Sequence, residues 1–178
     1  LGNAYEQTKR VEQKFVNGEV LKITTKDGKL IEEIDTTQFE YDFSILVNRE
    51  PFGQIQCDLS LLLGKDDDDV YPWAIKFDDL EVFLLTLKAK EKSPAIHLIN
   101  FLLMREELHG RIYCSDELQI CGAFLHRELT LSKVEKTDHH ILTTPDATAI
   151  FDTQYRKGMG FKEEKYLTEK KGGKHIFI

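Results

Sequence analysis

Pro145-Asp146, followed further along by Glu163-Glu164-Lys165, carries the groups that a metal-dependent nuclease needs. Hard cations prefer carboxylate oxygens, a bound metal lowers the pKa of its water, and a lysine can stand beside the attacking oxygen. Asp146, Glu163 and Lys165 therefore define one reading, a stand-alone metal-dependent nuclease. Three observations weigh against it. An acid followed two residues later by lysine also occurs at Glu12/Lys14, Asp27/Lys29 and Glu169/Lys171, and about three such pairs are expected by chance at this composition. Thr144-Pro145-Asp146 has the form of a helix start, where proline fits the first turn and aspartate opposes the dipole. A metal site of this kind sits on strands, whereas 145–157 is predicted to be a helix.

The other clusters are weaker. Cys114, Cys121 and His126 lack the paired spacing of zinc ligands, and Cys121 reads as a buried small hydrophobe beside Ile120 and Phe124. Asp138-His139-His140 places neighbouring side chains in different directions, as in a surface loop. Gly158-Met159-Gly160 suits a helix stop, and Asp66–Asp69 lacks the alternating ligands of a calcium loop. No serine or cysteine stands in a recognisable nucleophile setting. No metal and no cofactor is expected.

Charge is uneven along the chain. Residues 1–30 carry a net +2, 31–92 a net −9, 93–152 a net −4 and 153–178 a net +4. The basic ends are the surfaces open to a polyanion, so weak, salt-sensitive nucleic-acid contact is assigned to Lys157, Lys162, Lys165, Lys170, Lys171 and Lys174.

These groups must be positioned by an α+β fold. Helices are predicted at 3–17, 79–90, 94–109, 116–127 and 145–157 from apolar spacing, caps and glycine stops. Asp78 and Glu81 read as a capping box, and Ser93 and Ser115 as caps. Val20 to Thr25 and Lys29 to Ile34 flank Lys26-Asp27-Gly28, a hairpin signal. Phe39, Tyr41, Phe43, Ile45 and Val47 alternate with Glu40, Asp42, Ser44 and Leu46, which predicts a half-buried strand over 39–47 with its aromatic face inward. Short strands are expected at 73–77, 111–114 and 175–178, and an extended run at 129–134. The expected core is these five residues with Phe83, Leu84, Leu87, Leu98, Phe101, Leu102, Ile120 and Phe124. Arg105 and Glu117 lie among apolar helix positions and are expected to pair.

With 178 residues, one domain over 1–178 is expected, and such a chain can bury a core without staples. Hydrophobic residues make up 41% and charged residues 31%, which excludes both disorder and a membrane protein. Three cysteines cannot all pair and point to a reducing, cytoplasmic setting. The missing initiator methionine and the apolar ending His175-Ile176-Phe177-Ile178 suggest a piece of a longer chain.

Pro72-Trp73-Ala74-Ile75, Asp79-Leu80-Glu81-Val82, Phe101-Leu102-Leu103-Met104-Arg105, Ser115-Asp116-Glu117-Leu118 and Cys121-Gly122-Ala123-Phe124-Leu125 follow in this order. That region, 72–128, resembles one found in uncharacterised bacterial proteins that carry a nuclease-related segment of the PD-(D/E)xK type upstream. The opening helix, with Gln7, is similar to the helix that follows the metal-binding strand in such nucleases. The resemblance implies that the catalytic acids and lysine would precede Leu1, and that Gln7 would only support such a site. The expected function is a non-catalytic accessory or interaction module of a larger nucleic-acid-processing protein. Its partner would be another protein or the remainder of a longer chain, with no membrane contact.

Overall fold

The structure is a computed structural model that describes residues 2–50, 52–64 and 70–156. Lys157, Lys162, Glu163, Lys165, Lys170, Lys171, Lys174 and the expected strand 175–178 lie outside the described residues. The architecture is α+β, with helices around small two-stranded sheets.

The chain opens with α1 (Gly2–Val16). It stops at Gly18, whose φ of +63° turns the chain back so that the Glu19 N–H reaches the Lys14 carbonyl at 2.9 Å. The expected hairpin follows as β1 (Val20–Thr24) and β2 (Leu30–Asp35), antiparallel with Val20 opposite Asp35. The Thr36 hydroxyl donates to the Glu19 carbonyl at 2.8 Å and ties the hairpin to the end of α1. Most of the hairpin is exposed on both faces.

A second sheet pairs β3 (Ile45–Asn48) with β4 (Trp73–Lys76) in parallel, Ile45 opposite Trp73 and Val47 opposite Ile75. Between them lie α2 (Gln54–Cys57) and a 3-10 turn at Leu59–Leu61. Then come α3 (Phe77–Lys90) and α4 (Pro94–Glu106). A short parallel pair, β5 (Ile112–Tyr113) with β6 (Ile141–Leu142), brackets α5 (Glu117–Leu125) and α6 (Leu131–Glu135). A 3-10 turn at Pro145–Thr148 leads into α7 (Ala149–Arg156).

β4 is the centre of the core. Trp73, Ala74 and Ile75 are all buried. Trp73 and Ile75 face a helical layer built around aromatic rings. Phe101 of α4 lies 4.9 Å from Trp73, 4.6 Å from Phe83 of α3 and 5.3 Å from Phe124 of α5, centroid to centroid. Such pairs contribute about 0.5–1.5 kcal/mol each beyond their burial. On the other face, Ala74 packs with Leu46 and Leu59, with Ala4 of α1 against them.

Several expectations need correction. The strand expected over 39–47 is regular only at β3, and its aromatic face is not inward: Phe39, Tyr41, Ile45 and Val47 are exposed, while Phe43 is half-buried. The alternation itself is sound, because Ile45 and Val47 stand in register with Trp73 and Ile75 on the core side. The helices pack over β4, and although α3 also reaches β3, Ile45 and Val47 are left exposed. Leu84 is also more open than expected and Leu98 only partly buried, whereas Phe83, Leu87, Phe101, Leu102, Ile120 and Phe124 are buried.

The cap of α3 is Lys76 and not an Asp78/Glu81 box; Asp78 instead pairs with Lys76 at 2.7 Å. Asp116, not Ser115, caps α5 by accepting the Leu118 N–H at 2.7 Å. The run expected to be extended at 129–134 contains α6, because Leu131 and Val134 recur at helical spacing and the Thr130 carbonyl takes two N–H bonds. Residues 145–148 form a 3-10 turn in place of the first turn of the expected helix, with Ala147 hard against the Gly122 backbone of α5.

Candidate functional site

Arg105 and Glu117 meet as expected, and the helices explain why. Arg105 ends α4 and Glu117 opens α5, each on the core-facing side of its helix, so both charges enter the interior. Arg105 Nε donates to Glu117 Oε1 at 2.7 Å and Nη2 to Oε2 at 3.1 Å. Nη2 also donates to the Cys57 carbonyl at 2.7 Å, which satisfies the end of α2. The Trp73 indole N–H completes the set on Glu117 Oε1 at 2.7 Å. Burial opposes the charge on Arg105, and the Glu117 carboxylate outweighs it, holding the guanidinium above its ordinary value. A bidentate pair with its other donors and acceptors matched is a structural fastener. It joins α2, β4, α4 and α5.

Beside it, His109 Nε2 lies 3.3 Å from Arg105 Nη1. Asp58 accepts N–H bonds from Ser60 at 3.1 Å and Gly110 at 3.0 Å. Cys57, Cys114 and Cys121 are free and buried. The hydrogen bond with Cys114, then burial and the nearby Glu117 charge, push the Cys57 thiol up, and burial does the same at Cys121. Thiols so disfavoured as thiolates do not act as nucleophiles near neutral pH.

A different arrangement lies at the start of β3. Glu106 borders a narrow recess shared with Phe43, Ser44, Tyr71, Trp73 and Leu102. Burial, followed by the charges of Asp42, Glu12 and Glu107, pushes the Glu106 carboxyl up to about 7. Three elements contribute: α1, the approach to β3, and α4. Tyr41 and Phe43 stack beside this recess, centroids 6.1 Å apart, and Phe39 packs edge-on against Phe15 at 6.2 Å. Asp79 is likewise pushed up to about 6, mainly by burial and then by Asp116.

Glu106 gives a pH-dependent prediction. Its folded value of about 7 lies above the ordinary 4.5, so its ionisation destabilises the fold fully above about pH 7 and not at all below about pH 4.5. Glu106→Gln is therefore expected to stabilise by about 1 kcal/mol near pH 8, a figure reduced from the full shift because the carboxyl is partly solvated. The gain should vanish near pH 4. Urea denaturation of both proteins across this range checks it, and a gain that does not change with pH would contradict the assignment.

The remaining expected site residues are dispersed. Gln7 is exposed on α1. Asp146 is exposed on the 3-10 turn, not on a strand; with Lys90, His126, Glu128, Thr144 and Ile150 it borders an open depression of about 390 Å³. Glu163 and Lys165, its expected companions, lie outside the described residues. Cys114 and Cys121 are buried while His126 is exposed, and Asp138, His139 and His140 lie on the surface. Among the described residues, no group of three or more His, Cys, Asp and Glu side chains is placed to hold a metal ion. Nor is any helix there long and apolar enough to cross a membrane.

The sequence does not mark Glu106, Asp42 and Glu12, since they are far apart in the chain and share no motif. Only Asp42 falls within the acidic stretch 31–92; Glu12 and Glu106 lie outside it. The chain matches no protein-family model, no curated protein and no solved structure.

Proposed function

We propose that this chain is a non-catalytic interaction module, the accessory part of a larger assembly, and that its partner docks along β3. One observation carries this reading. β4 is buried on both faces, as strands of parallel sheets normally are, yet its only described neighbour, β3, has an outer edge that no described strand pairs, and half-exposed Ile45 and Val47. A parallel pair finished in this way is suited to receiving a further strand, a common mode of peptide recognition. The link to nucleic-acid processing is supported by the resemblance of residues 72–128 and by the lysine-rich segment 157–174.

The test is a selection of extended peptides from a displayed library against the whole chain, followed by binding to a Val47→Pro variant. The Val47 N–H aims away from β4, so proline there removes no bond of the β3–β4 ladder. Selected peptides are expected to lose about tenfold or more in affinity for the variant, while its circular dichroism is unchanged. Peptides that bind both proteins equally would place the interaction elsewhere and defeat the reading.

A further inference from the structure

We infer that the segment received by β3 is an extended basic one, with a lysine or arginine seated beside Glu106 at the start of the strand. The inference rests on the reading of β3 as a docking edge and adds the chemistry of the partner.

The backbone sets the geometry. The Trp73 N–H donates to the Ser44 carbonyl at 2.8 Å, and Ile45 is in register with Trp73. In a parallel ladder the bonded residues of one strand alternate, so the N–H and C=O groups of Ile45 and Val47 point to the outer edge. No described residue pairs with them. The side chains set the surface. Ile45 is 36% and Val47 50% exposed, on the face that β4 presents to the aromatic core. An added strand would therefore extend that core while completing the ladder.

Charge selects among strands. The approach to β3 bears Asp42, α1 brings Glu12, and α4 brings Glu106 and Glu107. Arg105, next to Glu106, is committed to Glu117. An incoming acidic residue would add a like charge to a half-buried carboxyl already disfavoured by its neighbours. An incoming cation would relieve it. A second copy of this chain carries a net charge of −7 and would approach against that repulsion. Because a cation beside Glu106 favours its ionised form, binding releases a proton wherever the free carboxyl is protonated, so affinity falls as the pH drops below about 7.

The experiment is calorimetric titration of the whole chain with two short peptides of alternating valine and threonine, one carrying a lysine near one end and the other a glutamate there. Near pH 8 the lysine peptide is expected to bind about tenfold tighter. That preference should disappear in Glu106→Gln, and the affinity of the lysine peptide should drop near pH 5.5. Equal binding of the two peptides by the unaltered chain would overturn the basic partner while leaving β3 as a docking edge. Failure of both peptides to bind would overturn the docking edge itself. Sedimentation showing a dimer that Val47→Pro dissociates would assign the edge to a second copy and overturn the inference.

Discussion

Glu117→Ala is expected to lower the unfolding free energy by about 3–5 kcal/mol, because it strands Arg105 as an uncompensated charge in the interior. Both side chains are essentially inaccessible, at 1% and 0% exposure. The same change leaves the Trp73 N–H without its acceptor, adding the cost of an unmade buried hydrogen bond. Against a typical total of about 5–15 kcal/mol, this is a large share of the stability. Urea denaturation measures it. A double replacement, Arg105→Met with Glu117→Leu, should recover much of the loss, since the larger cost lies in breaking a buried pair and not in lacking one. A loss below about 1 kcal/mol for Glu117→Ala would mean that water reaches the pair, as at an exposed salt bridge.

The second large effect is expected at Gly122. A Cβ at this position would lie 1.9 Å from the Ala147 carbonyl oxygen and 2.6 Å from its carbon. Those atoms belong to the backbone, so no rotamer change relieves the contact. Alanine normally favours a helix over glycine by about 1 kcal/mol. Here overpacking should dominate, and Gly122→Ala is expected to destabilise by about 3 kcal/mol as α5 and the 145–148 turn are forced apart. At Gly2 a Cβ would meet nothing within 4 Å, so Gly2→Ala serves as the comparison in the same thermal unfolding series. A Gly122→Ala protein as stable as the unaltered chain would show that this turn can move away from α5 at little cost.

Local signals account for what is legible in the sequence. α1, the hairpin and the three helices α3, α4 and α5 follow from apolar spacing, glycine stops and turn residues that act within a few positions. The Arg105–Glu117 pair is also legible, since two charges at core-facing helix positions need each other. Its third member, Trp73, is not, because an indole partner has no sequence spacing. The strand at 39–47 shows the limit most clearly. Alternation identifies the residues that share a face, here Ile45 and Val47 with the core side of β4. Whether anything covers that face depends on how far the helical layer extends. The acids around Glu106 are hidden for a related reason, as α1, the approach to β3 and α4 meet only in the folded chain.

Trp73 is the only tryptophan in the chain, 3% exposed, and its indole donates to one member of the buried charge pair. Its backbone is bonded to the start of β3, whose outer edge no described strand pairs. The chain therefore carries a single intrinsic indole fluorophore at the junction of its fastener and its proposed docking edge. Its emission reports the loss of the core on unfolding as a shift to longer wavelength, free of any second indole signal. The same ring lies one strand away from whatever docks along β3, so occupancy of that edge and integrity of the core are observable through one optical centre without an added label.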